Sequence, residues 1–109
     1  MKNPILVLIF TLLALTFSAC NKDDKDKDVN PPVITLLGSN PVAAEKDQVY
    51  VDAGATALDD VDGDITSRIE VINLVNPNVE GTYTVTYNVS DAAGNKATEV
   101  VRTVNVMVF

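Results

Sequence analysis

The sequence has no histidine, no tryptophan and one cysteine, Cys20. Without histidine, serine–histidine and cysteine–histidine nucleophilic pairs cannot be built, nor can histidine-ligated zinc. A lone thiol rules out an intrachain disulfide, so a small domain here must rest on packing alone. The lack of tryptophan removes the commonest aromatic platform for a sugar ring. Positive charge is scarce as well: eight Lys and Arg stand against fifteen Asp and Glu, for a net charge of −7. From Val33 onward the only basic residues are Lys46, Arg68, Lys96 and Arg102. A surface of that sign repels phosphate backbones and argues against a nucleic-acid partner.

What is present falls into three parts. Residues 1–19 have the form of a signal peptide: Lys2 supplies positive charge, Ile5 to Leu15 is apolar apart from Thr11, and Ser18-Ala19 are the small residues before a cleavage point. Such a run rises about 16 Å as a helix, well short of the roughly 30 Å of hydrocarbon that a spanning helix must cross. It predicts delivery rather than a membrane span. Residues 20–32 follow as a linker. Asn21 to Pro32 alternates charge, has Val29 as its only apolar residue before the proline pair, and reaches at most about 40 Å. It predicts a spacer.

Phe17-Ser18-Ala19-Cys20 resembles the lipobox of bacterial lipoproteins. The resemblance implies that Cys20 takes a diacylglyceryl group and becomes the new N-terminus, making the membrane a partner through the lipid anchor. Two or more chains hold stably where one does not, because each buried CH₂ is worth about 0.8 kcal/mol. Asn21-Lys22-Asp23-Asp24 is similar to the lysine-plus-acidic export signal of surface lipoproteins in Bacteroidetes. Lys22, Asp23 and Asp24 are therefore the expected export residues. The expected location is the outer membrane, with the protein lipid-anchored and exposed at the surface; a periplasm-facing orientation is the alternative.

Residues 33–109 read as one all-β domain of short strands broken by turn residues. Val33 to Leu37 is the first predicted strand. Val49 to Asp52 and Ala55 to Leu58 form a second run, with a bulge or kink at Gly54. Ile65 to Val75 is a third whose register is ambiguous. The clearest element is a hairpin: Thr82 to Ser90, a loop over Asp91 to Asn95, and Lys96 to Val108. Tyr83, Val85, Tyr87 and Val89 alternate strictly with Thr82, Thr84, Thr86 and Asn88, so one face is core and the other wet. On the return strand Arg102 interrupts the parity of Val100, Val104, Val106 and Val108, which predicts a bulge near Val101-Arg102. The last strand is expected to offer an exposed edge.

Glu80-Gly81-Thr82-Tyr83-Thr84-Val85 resembles the start of strand F in immunoglobulin-like domains, with Tyr83 at the tyrosine-corner position. The segments PPVITLLG, YVDAGATALDDVDGDIT, GTYTVTYNVSDAAGN and VVRTVNV are similar to the bacterial immunoglobulin-like domain of pesticidal crystal proteins and hyalin-repeat-like proteins. The resemblance implies an antiparallel immunoglobulin-like β-sandwich of about seven short strands.

Chemistry has one candidate location. Asp60, Asp62 and Asp64 alternate in the turn DDVDGD, and clustered hard oxygens suit Ca²⁺. Asp59, Asp52 or the Asp91 to Asn95 loop are candidate further ligands. The pattern is not an EF-hand, because Val71 stands where the twelfth-position Glu would be. The other reading is that these aspartates accept backbone hydrogen bonds in turns. No cofactor is required by any motif, and so small a sandwich has little room for a substrate cleft. The expected function is a non-catalytic surface module for binding, adhesion or assembly, with a protein or glycan partner. A carbohydrate-binding accessory lipoprotein and a structural spacer or remnant of a longer protein are the alternatives. For glycans, Tyr50 and Phe109 are the candidate platforms.

Overall fold

The computed structural model describes residues 27–109. The expected signal peptide, Cys20 and the export residues Lys22, Asp23 and Asp24 lie outside the described residues. Seven strands follow in order: β1 (Val33–Leu36), β2 (Val42–Glu45), β3 (Ala55–Asp59), β4 (Gly63–Asp64), β5 (Glu70–Asn73), β6 (Gly81–Asn88) and β7 (Val100–Met107). A 3-10 turn at Thr66–Arg68 links β4 to β5. One sheet has the order β1-β3-β4 and the other β2-β7-β6-β5. Together they form the expected all-β sandwich, without a disulfide.

The alternating pattern in β6 does what its periodicity dictates. Val85 and Tyr87 are fully buried while Thr82 is exposed. They pack with Val104 and Val106 of β7 against Ile34 and Ala57 from the facing sheet. β-branched residues on both long strands suit a half-buried pleat. From within β6, the Tyr83 hydroxyl donates back to the carbonyl of Val79, just before the strand, at 2.6 Å, which is the bond that defines a tyrosine corner.

Five sequence expectations change. Ile65 to Val75 is not one strand, since Thr66–Arg68 is a 3-10 turn and only Glu70–Asn73 pairs, as β5. The β6–β7 ladder runs without a break from Gly81↔Val106 to Tyr87↔Val100, so there is no bulge at Val101-Arg102. Arg102 takes the inward position itself and Val101 faces out. β7 is also not an edge, since it lies between β2 and β6, and the edges of that sheet are β2 and β5. Val49 to Asp52 is not a strand, and Val49 and Val51 are exposed. Finally, the sandwich is not purely antiparallel, because β2 pairs parallel with β7 from Val42↔Val104 to Glu45↔Met107. Two alanines in β2 give a weak strand signal. The Asn40 side chain instead leads the chain onto β7, its Oδ1 accepting from Thr103 N–H at 2.9 Å and its Nδ2 donating to Val101 O at 3.3 Å.

Candidate functional site

Three features of the described residues bear on function: an acidic cluster at the end where the linker enters, a buried polar network, and a groove of mixed polarity toward the opposite end.

The acidic cluster forms because three turns meet at one end of the sandwich. Asp59, the last residue of β3, is buried, and its Oδ2 accepts from the Val61 and Asp62 amides at 3.0 and 2.9 Å. That fixes the following turn. Asp91 opens the β6–β7 loop, where its Oδ1 accepts from Asn95 N–H at 2.8 Å and its Oδ2 from Asn95 Nδ2 at 2.9 Å. The linker is fastened here too. Asn95 Nδ2 donates to the Asp28 carbonyl at 3.0 Å, and Asn30 Nδ2 donates to Asp60 Oδ2 at 2.8 Å.

These contacts bring together Asp28, Asp59 and Asp60, one carboxylate oxygen of each lying within 4.8 Å of the others. The sequence expectation grouped Asp60 with Asp62 and Asp64 instead. Asp62 Oδ2 accepts from Arg68 Nη1 at 3.1 Å and from Ala92 N–H at 2.7 Å, tying two loops together. Asp64 Oδ1 accepts from Thr66 N–H at 3.0 Å, and its hydrogen bonds to Thr66 hold it below the usual carboxylate range. Asp52 is far from this end. Desolvation, with the Asp91 and Asp59 carboxylates beside it, pushes Asp28 up to about 6. Asp91 is desolvated as well, yet hydrogen bonds from Asn95 hold it low.

The polar network is centred on Arg102, which is 1% exposed. Its Nε lies 3.0 Å from Asp52 Oδ1, and its Nη2 donates to the carbonyls of Leu37 and Gly54 at 2.6 and 2.9 Å. Nη1 donates to the Ser39 carbonyl. Asp52 also accepts from Tyr50 Oη at 2.6 Å, from Gly54 N–H at 2.9 Å and from Tyr87 Oη. Against its desolvation, the bonds from Tyr50, Tyr87 and Gly54 and the Arg102 charge hold Asp52 low. Desolvation and the Asp52 carboxylate push both tyrosines up. Gly38 closes the network at φ +76, where a Cβ would sit 2.8 Å from that of Ala53. This knot staples the β1–β2 and β2–β3 connections to β7. In the sequence Arg102 stands out only as a break in an apolar parity, which is the signal that could have found it.

The groove, of about 390 Å³, is lined by Val49, Tyr50, Asn73, Val75 and Pro77. Val49 is 86% exposed. Tyr50, an expected glycan platform, has its hydroxyl bound to Asp52; Phe109 is exposed at the chain end.

Two facing sheets, a tyrosine corner and a long antiparallel hairpin define an immunoglobulin-like domain. The chain belongs to the family described as bacterial surface protein, Ig-like domain, whose model matches residues 34–106. Among solved structures it is similar to the lipoprotein BT2262 from Bacteroides thetaiotaomicron, with 26% identity and a TM-score of 0.61 over 71% of this chain and 38% of that one. It is also similar to a structure of the CBM51-2 domain in complex with GlcNAc and the INT domains of Clostridium perfringens ZmpB. There the identity is 32% and the TM-score 0.57, over 72% of this chain and 17% of that one. A third similar structure holds the M60 catalytic domain of ZmpB with CBM51-1 and CBM51-2, at 31% identity and a TM-score of 0.56 over 72% and 8% of the two chains. The chain thus spans less than two fifths of each of these. No curated protein matches it.

Proposed function

We propose that this chain is a non-catalytic lipoprotein, held on the outer membrane by lipid on Cys20 and exported to the cell surface through Lys22, Asp23 and Asp24. Its Ig-like domain serves as a binding, adhesion or assembly module. The observation that carries the reading is the polarity of the domain. The linker is fastened at the Asp28–Asn95 end, and the groove with exposed Val49 lies toward the other, where Asp47 N–H donates to Pro77 O. A domain tethered at one end presents the other to a partner. Membership of a bacterial surface family supports the location, and the lipoprotein among its structural relatives supports the anchor. The finer kinship with crystal-protein and hyalin-repeat-like modules fits the same role.

Catalysis is disfavoured by the same geometry. Asp52, the carboxylate richest in polar contacts, is engaged by two tyrosines, an arginine and an amide, so neither oxygen is free to take a substrate proton.

A photo-crosslinking residue placed at Val49 on intact cells tests the partner, with Thr56 on the facing sheet as the control position. Adducts at Val49 alone support the reading; equal labelling at both positions, or none, sinks it. Protease shaving of intact cells tests location, and a wild-type protein that resists shaving removes the export assignment.

Carbohydrate binding is a second reading, drawn from the relative whose CBM51-2 domain is seen with GlcNAc. Amide chemical shifts around Tyr50 that stay flat under GlcNAc titration would dismiss it.

A further inference from the structure

We infer that Asp28, Asp59 and Asp60 bind a divalent cation, Ca²⁺ by their chemistry, and that the ion clamps the linker to the sandwich. The three carboxylate oxygens, all within 4.8 Å of one another, fit one coordination shell, since oxygens on opposite sides of Ca²⁺ are about 5 Å apart. A group of carboxylates is ordinary on an acidic surface. Asp59 sets this group apart.

It is 4% exposed, and while its Oδ2 holds the turn amides, its Oδ1 is shielded from solvent with no hydrogen-bond donor. Asp28 Oδ2 is shielded as well, with no donor and only the Asp91 carboxyl against Asp28. A buried acceptor without a donor is destabilising, and more so when charged. Two such oxygens beside a third carboxylate call for positive charge. The ion pairs among the described residues do not supply it: Lys46–Asp47, Arg68–Asp62 and Arg102–Asp52 all leave these three carboxylates out.

The donor set selects the ion. Ca²⁺ takes six to eight oxygens in flexible geometry, whereas Mg²⁺ demands a near-ideal octahedron and keeps several waters rather than enter a carboxylate cage. Here the carboxylates come from two separate segments, the linker and the end of β3, and Asp91 lies against Asp28 as a fourth acid. Asn30 and Asn95 already hold the segments together, so binding orders little new chain.

The consequence concerns reach. With the linker clamped at Asp28, the free tether from Cys20 shortens to at most about 28 Å, against about 40 Å for the whole spacer. This consequence rests on the lipid anchor of the proposed function; the ion site itself does not.

The test uses the full-length chain in detergent, stripped with EDTA and titrated with CaCl₂ in a calorimeter. In parallel, a lysine-specific protease reports on the Lys27–Asp28 bond, with the fragment beginning at Asp28 followed by mass spectrometry. The expected result is one Ca²⁺ per chain, with Kd about 10⁻⁴–10⁻³ M as in extracellular modules. Cleavage after Lys27 should slow roughly tenfold at ten times Kd. Asp60→Asn, at an exposed position, and Asp59→Asn, which keeps an acceptor for the turn amides, should each abolish both effects. Asp47→Asn, at the other end, should change neither. Absence of heat with unchanged cleavage overturns the inference, and so does Ca²⁺ binding that survives Asp60→Asn. Failure of cell-surface shaving would leave these readouts untouched, so the two proposals fail separately.

Discussion

Arg102 and Asp52 form an ion pair at 3.0 Å inside the sandwich, with the arginine almost wholly buried. The pair joins the middle of β7 to the connection before β3, and every guanidinium nitrogen has a partner. Removing one member of a buried pair leaves the other charge unpaired, which costs about 3–5 kcal/mol. Asp52→Ala and Arg102→Ala should each lose about that much in urea unfolding. A double-mutant cycle should show the losses to be far from additive.

The same carboxylate makes stability depend on pH. Asp52 is held low in the folded chain, so between its folded and unfolded values the unfolded state binds more protons, and stability rises with pH. Its contribution is complete above the ordinary carboxylate value of about 4 and is lost as pH falls through the lowered one. Asp52→Asn should therefore show a flatter melting-temperature profile than wild type below about pH 5. Parallel profiles would refute this.

The tyrosine corner is a smaller contributor. Tyr83→Phe removes the donor to Val79 O without changing the ring, and should cost about 0.5–1.5 kcal/mol. Denaturant unfolding measures it.

Gly38 is under two constraints at once. Its φ of +76 lies in the left-handed region, and the space for a side chain is taken by Ala53. Gly38→Ala should destabilise by at least about 1 kcal/mol, by strain alone before any clash is counted. Gly94, also at positive φ but with open space around it, should show the strain without the clash.

Strand β5 is an edge that exposes Val71 and Ile72. Open ladder groups beside apolar side chains invite pairing with another chain. Ile72→Lys should lower any concentration-dependent association seen in sedimentation while leaving the melting temperature nearly unchanged.

The sequence by itself determined the features that depend on near neighbours. Strict alternation over Thr82 to Ser90 yields β6 with Val85 and Tyr87 inside, because successive strand side chains point to opposite faces. The spacing around Tyr83 likewise announces its corner, since the bond to Val79 closes within four residues. Tertiary structure decided what joins distant segments. Arg102 looks like a flaw in an apolar stripe until Asp52, Leu37, Ser39 and Gly54 are folded around it. The parallel pairing of β2 with β7 leaves no local pattern, as its partners are some sixty residues apart. Asp60, Asp62 and Asp64 are neighbours in sequence, but the turn sends them to different partners, and Asp28 of the linker, more than thirty positions upstream, completes the carboxylate group. A turn fixes where its own amides point; only the packing of three turns at one end of a sandwich fixes which carboxylates meet.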